Sequence, residues 1–187
     1  HFSYNNQMTS QTILNDYFAN HWHRRNGDLN QYSKTGFQLV DKVLPTDRVL
    51  DVGCGRNPFK FRIPQLVGID PAFDEADYKM TLEEYAASHG AQRFNVAFCL
   101  ASINFGDQAN IEHQIGLVVR LLHTKHSRIF WRCNPGLADH GNDECQNIEF
   151  FPWTAELLDE LAEKFKFQLA DLKYDTNNRL YAVWARP

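Results

Sequence analysis

The stretch Val49-Leu50-Asp51-Val52-Gly53-Cys54-Gly55-Arg56-Asn57-Pro58 constrains this chain more than any other. It reads as an apolar strand that ends in a carboxylate and then turns sharply through two glycines. Glycine lacks Cβ, so it turns tightly and lets backbone approach a ligand closely. In open α/β sheets ligands bind beyond the carboxyl ends of the strands, which is where such a turn lies. Asp51 sets the sign of that ligand, because a carboxylate there repels a pyrophosphate and suits a cation.

Two glycines alone do not identify the site. The dinucleotide fingerprint G-x-G-x-x-G/A places a third small residue where helix and strand pack closely. Here that place holds Pro58, which a first helical turn tolerates but which does not serve close packing as glycine does. The segment instead resembles motif I of the class I S-adenosylmethionine-dependent methyltransferases. That resemblance implies that Asp51, Gly53, Cys54 and Gly55 hold the amino-acid end of S-adenosylmethionine, whose demethylated product is S-adenosylhomocysteine. The plain alternative is a buried strand followed by an ordinary glycine turn.

Gln65-Leu66-Val67-Gly68-Ile69-Asp70-Pro71 reads as a second short buried strand. It ends in Asp70 at about the spacing where an acidic residue reaches a ribose in doubly wound folds. Asp70 has two readings: a carboxylate accepting from both ribose hydroxyls, or a turn-forming Asp-Pro pair. By resemblance Pro71 and Ala101 join the cofactor-binding set, and backbone near Thr81 and Leu82 meets the adenine. One departure stands between the two strands. Arg56 to Pro64 leaves room for little more than two helical turns, because Pro64 cannot continue a helix. The resembled family spends a longer helix there.

Ser10 is placed to cap a helix with Ile13, Leu14, Tyr17 and Phe18 at helical spacing, fraying into His21 to Gly27. A second helix, roughly Asn30 to Leu44, is expected to bury Phe37, Val40 and Leu44 and to stop at Pro45. Residues 1–45 therefore read as a helical extension or lid, and 46–187 as a Rossmann-like domain, in one compact unit. Further strands are expected at Asp77 to Met80, Phe94 to Ala101, Arg128 to Arg132, Gln168 to Tyr174 and Leu180 to Ala185. Helices fall at Glu83 to His89, at Ala109 to Leu122 and after Thr154. The last two strands, joined by Asp175 to Arg179, form a hairpin, so the final strand runs antiparallel. The sum is an α/β fold: a doubly wound, mostly parallel seven-stranded sheet with an antiparallel terminal strand, as the resembled family has.

The 187 residues fit one domain, and a net charge of −4 with mixed signs argues against a general grip on nucleic acid, which needs a basic face. The four cysteines show no paired C-x-x-C spacing, so free thiols are expected. Cys133, His140 and Cys145 match no common zinc spacing, and no metal is expected. No run is long and apolar enough to span a bilayer, and the start carries no basic-then-apolar segment; a soluble, cytoplasmic protein is the expectation. The chain opens with His1, so it begins inside its gene product or carries an added residue, and nothing is read from Phe2 to Gln7.

The acceptor side carries less. Ser102-Ile103-Asn104-Phe105 falls where amino-methyltransferases acting on bases or amides have a D/N/S-P-P-aromatic tetrad, but both prolines are absent. Methyl transfer from a sulfonium needs placement and exclusion of water more than a base. A hydroxyl acceptor would need one, and Asp107 and His140 are the first candidates. The leading expectation is a methyltransferase with a small-molecule or protein acceptor. The alternatives are an RNA or DNA methyltransferase using the His21 to Arg25 cluster, which also reads as a solvated helix end, and a noncatalytic cofactor-binding module. A nicotinamide oxidoreductase comes last, opposed by Asp51 and Pro58. Trp22 is either core-facing or a stacking surface.

Overall fold

A computed structural model describes residues 11–22, 37–135, 148–175 and 178–187. Six strands, β1 (Val49–Val52), β2 (Leu66–Ile69), β3 (Val96–Leu100), β4 (Arg128–Cys133), β5 (Gln168–Tyr174) and β6 (Leu180–Ala185), form one sheet in the order β2-β1-β3-β4-β6-β5. The first four are parallel, and β6 runs antiparallel to both β4 and β5. Three α-helices follow the strands: α1 (Leu82–Ser88), α2 (Gln108–Leu121) and α3 (Ala155–Lys164). Each starts on a side chain that accepts a free first-turn amide: Thr81 from Glu84, Asp107 from Asn110 and Thr154 from Leu157.

Strand side chains alternate between the two faces of the sheet. Leu50, Ala97, Cys99, Ile129, Trp131, Ala182 and Trp184 face the α-helices and bury Tyr85, Ile111, Ile115, Val118, Leu158 and Leu161. Val49, Val96, Phe98, Phe130, Tyr181 and Val183 face the other way, and are covered by Leu39, Phe59 and Ile63. The first layer is helical and thick. The second, among the described residues, is a 3₁₀ helix (Phe37–Lys42) and a chain of turns.

Three expectations need correction. The strand expected at Asp77 to Met80 is a single parallel bridge between Ile69 and Tyr78, so the described sheet has six strands and not seven. The reason is local: the Asp77 carboxylate takes the Gly68 N–H (2.8 Å), occupying a donor that a regular ladder would use. The connection from β1 to β2 holds turns and no helix, because Asn57 sits at φ +59° and Pro64 closes the segment. Leu44 is 63% exposed and not buried: the 3₁₀ helix ends at Lys42, and the Leu44 N–H turns outward onto the Asp47 carboxylate.

At the other end of the chain, an α-helical turn over 11–16 continues as a π-helix, Tyr17–Trp22. Its Ile13, Leu14, Tyr17 and Phe18 pack with Phe105, Ile148 and Phe150. The expected Ser10 cap, the segment 23–36, the side chains of Trp22 and Phe37, and the loop holding His140 and Cys145 lie outside the described residues. No helix among those described is long and apolar enough to cross a membrane.

Candidate active site at the carboxyl edge of the sheet

Asp51 is the third residue of β1 and 3% exposed. Among the described residues no group donates a hydrogen bond to its carboxylate. Burial, and then the nearby Asp70, push its pKa well above the ordinary 3.8. The chain then enters the glycine loop. Gly53 (φ +68°) and Gly55 (φ +55°) both hold the left-handed region that favours glycine. The N–H groups of Gly53 and Cys54 donate to the Ile69 carbonyl at 2.9 and 3.0 Å, tying the loop to the end of β2.

Asp70 completes that tie. One carboxylate oxygen accepts the Gly55 N–H (3.0 Å), the other the Ala72 N–H (2.8 Å). Burial raises its pKa, and the backbone donors at Ala72, Gly55 and Phe73 oppose the rise. The bond to Ala72 is the turn role that the Asp-Pro pair suggested; the bond to Gly55 holds the glycine loop. Each oxygen keeps a further lone pair for a ligand. Pro71, next in the chain, is half-buried.

The neighbouring strand end closes on the same loop. Ala101 adopts φ +64°, its N–H donates to the Arg132 carbonyl (2.8 Å), and Ser102 is set against Gly53. A Cβ on Gly53 would lie 2.4 Å from the Ser102 Cβ. The glycine is therefore required by β3's exit as well as by the turn. Cys54 is buried, and burial together with Asp51, Asp70 and Asp77 pushes its thiol up, so it stays protonated and is no nucleophile. Thr81 and Leu82 stand three and four residues beyond the Tyr78 bridge to β2; Thr81 caps α1 and Leu82 is in the core, which leaves backbone as what they offer a ligand.

Asn57, which sequence reasoning passed over, joins this site to the next loop. Its side-chain amide donates to the Glu75 carbonyl (3.2 Å) and the Asp77 carboxylate (3.4 Å), while its oxygen is buried against Gly68 without a partner among the described residues. Asparagine's tolerance of positive φ was the available signal, and its place before Pro58, which favours extended backbone, spoke against it.

Towards β4 the edge is apolar and amide-rich. The Asn104 side-chain oxygen accepts the Asn134 N–H (3.2 Å), the Asn104 carbonyl accepts the Phe151 N–H (2.7 Å), and the Trp153 indole donates to the Ile103 carbonyl (2.9 Å). Phe105 meets Phe150 and Phe18 at 5.4 and 5.7 Å between ring centroids. Asp107 is exposed and caps α2 by accepting the Asn110 N–H (2.9 Å). His140 lies outside the described residues.

A cationic group fits the first half of this edge. Asp51 is a buried carboxylate that receives no hydrogen bond from any described residue and lies beside a second buried carboxylate, and an ammonium would offset that cost.

No protein-family model matches the chain, and no curated protein is significantly similar to it in sequence. Similar solved structures are numerous. The N-methyltransferase NodS of Bradyrhizobium japonicum WM9, in complex with S-adenosylhomocysteine, superposes with a TM-score of 0.68 at 14% identity, over 96% of this chain and 98% of that one. The magnesium protoporphyrin IX methyltransferase of Synechocystis PCC 6803, also with S-adenosylhomocysteine, gives 0.67 at 16% identity, over 95% and 100%. A 1,6-didemethyltoxoflavin-N1-methyltransferase of Burkholderia thailandensis gives 0.65 at 14% identity, over 96% and 89%. With the glycine loop on β1, an acidic residue after β2 and an antiparallel last strand between β4 and β5, the chain has the class I S-adenosylmethionine-dependent methyltransferase fold.

Proposed function

We propose that this protein is an S-adenosylmethionine-dependent methyltransferase acting on a small-molecule acceptor. The observation that carries the reading is the buried Asp51 carboxylate, without a hydrogen-bond donor among the described residues, at the mouth of a positive-φ glycine loop that Asp70 holds in place. Asp51 would take the cofactor's ammonium. Asp70 would accept from the ribose hydroxyls, and the backbone at Thr81 and Leu82 would meet the adenine. The bound cofactor supplies a methyl group on a good, cationic leaving group.

The protein's own work is then placement. The glycine loop and the exit of β3 would hold the transferring carbon, and the wall of Phe18, Phe105 and Phe150 would exclude water from the line of attack. Asp107 is engaged as a helix cap, which favours acceptors that need no general base, such as a neutral amine. The small-molecule class is supported by the similar structures, which include a methyltransferase of 1,6-didemethyltoxoflavin and one of magnesium protoporphyrin IX. Transfer of labelled methyl from S-adenosylmethionine into a cell extract, fractionated into small molecules, protein and nucleic acid, tests the proposal. Label is expected in the small-molecule fraction; label in nucleic acid or protein alone would overturn the acceptor class.

A further inference from the structure

The hairpin of β5 and β6 turns at the carboxyl edge of the sheet, beside the end of β4, and carries a charge cluster that the proposed reaction does not use. Arg132, the fifth residue of β4, donates from Nε to the Asp175 carboxylate at 2.7 Å, and the two side chains are only 10% and 7% exposed. The other Asp175 oxygen accepts the Arg179 backbone N–H (2.9 Å), and the Asp175 N–H donates to the Arg179 carbonyl (2.8 Å). Both carboxylate oxygens are therefore engaged, and neither by the Arg179 guanidinium.

Arg179 is half-buried, and among the described residues no carboxylate or carbonyl accepts from its guanidinium. Burial, and then the Arg132 guanidinium, pull its pKa below the ordinary value, while Asp175 opposes the fall. Two guanidiniums thus face one carboxylate, and one positive charge stands partly out of water with no ion partner among the described residues. The sheet register extends the cationic row. Arg132 is opposite Tyr181 on β6, and Tyr181 is opposite Lys173 on β5, whose ammonium lies 5.0 Å from the tyrosine ring centroid. Asp171 sits two residues before Lys173, further from the edge.

We propose that Arg179, with the Arg132–Asp175 pair behind it, binds an oxyanion, a carboxylate or phosphate, carried by the methyl acceptor. The inference rests on the methyltransferase reading and narrows its small-molecule class to anionic acceptors. Its place agrees with that role. Ligands of open α/β sheets bind at the carboxyl edge, and the Arg132 carbonyl accepts the Ala101 N–H (2.8 Å), so the strand that carries the charge also holds the exit of β3 beside the glycine loop. A planar guanidinium meets a carboxylate or phosphate with two parallel N–H···O bonds, which fix orientation as well as position. The anion serves as the handle, and the methyl group goes to another atom of the acceptor. The product therefore keeps its negative charge.

Phenylglyoxal labelling of the full chain, read peptide by peptide by mass spectrometry, tests the anion site without any turnover. Arg179 should react, and inorganic phosphate or succinate should slow that reaction severalfold against chloride at equal ionic strength; the better protector tells phosphate from carboxylate. Equal rates in all three salts would overturn the site. The acceptor role is tested with labelled S-adenosylmethionine and a small-molecule cell extract. The methylated product should be retained on an anion-exchange resin. Arg179→Gln should raise the extract concentration needed for half-maximal transfer on the order of tenfold or more, with the circular dichroism spectrum and S-adenosylhomocysteine affinity unchanged. Arg179→Lys should fall between, since it keeps the charge and loses the fork. If the wild-type chain binds S-adenosylhomocysteine but its product passes the resin, or Arg179→Gln transfers as wild type does, the anionic acceptor is overturned and the methyltransferase reading stands. A chain that binds no S-adenosylhomocysteine would overturn that reading, and the acceptor role with it.

Discussion

The two halves of the carboxyl edge are built differently. Around β1 and β2 the candidate site is made from neighbours in sequence: Asp51, Gly53 and Gly55 within one turn, and Asp70 reaching back fifteen positions to the Gly55 amide. Around β3 and β4 it is made from residues far apart, with 103–106 stitched to 148–153 and covered by the helix that carries Tyr17 and Phe18. The first half is charged and buried and calls for a cation; the second is aromatic and amide-lined and calls for shape. A cofactor common to many enzymes can be held by a short local motif. An acceptor particular to one enzyme is met by surfaces assembled from the whole chain.

The largest expected effect falls where the halves touch. Gly53→Val should abolish cofactor binding and also destabilise the fold by roughly 2–4 kcal/mol, from positive φ and the collision with Ser102 together. Gly53→Ala should act in the same direction, and pairing it with Ser102→Gly should recover part of the stability. Calorimetric melting of the single and double variants checks this; no recovery would mean that Ser102 does not set the constraint.

Next come the carboxylates. Asp51→Asn should weaken S-adenosylhomocysteine binding by about 1.5–3 kcal/mol, the range for a charged hydrogen bond, without lowering the melting temperature of the unliganded chain. Asp70→Ala should lower both, because it frees the Gly55 and Ala72 amides. Equal stability loss in the two variants would erase the distinction between a ligand-facing and a loop-holding carboxylate.

Acidity sharpens the same contrast. Both aspartates titrate above 3.8 in the folded chain because burial disfavours their charge. A group raised on folding contributes stability that is complete below its unfolded pKa and is lost as pH rises through its folded one. The unliganded protein should therefore lose stability as pH climbs above about 4, and Asp51→Asn should flatten that loss. Affinity for the ammonium of S-adenosylhomocysteine should rise over the same window. Melting curves and titrations across pH measure both; an affinity that falls as pH rises there would contradict the cation site.

The smallest effect on the cofactor is expected from the aromatic half. Phe105→Ala, or a chain starting at Phe37, should keep S-adenosylhomocysteine affinity within about threefold, under 1 kcal/mol, while losing most methyl transfer. Retained turnover would show that the wall of rings is packing and no part of the reaction chamber. A chain starting at Thr46 is a poorer test, because it would also remove Leu39 from the core over β1 and β3.

The same contrast explains what could be read from sequence. The terminal hairpin was legible to its end residues, Gln168–Tyr174 and Leu180–Ala185, because both strands are long and bounded by polar turns. The glycine loop was legible because its chemistry is local. Asp77 to Met80 misled, since its pattern suits a strand and nothing in it reveals that the Asp77 side chain takes the place of a ladder bond. Leu44 misled because a helical spacing continued on paper past the point where Asp47 turns the chain. The contact of Ser102 with Gly53 spans two strands, and the Asn104 to Asn134 bond spans two loops; neither leaves a periodic signal.

Isothermal titration of the full chain with S-adenosylhomocysteine, with NAD as the competing ligand, tests the central claim most directly. Saturable, one-to-one binding of S-adenosylhomocysteine that Asp51→Asn weakens, with no heat from NAD, is the predicted result. Binding of NAD with none of S-adenosylhomocysteine would contradict the account, because the buried carboxylate would then stand beside a pyrophosphate and not an ammonium.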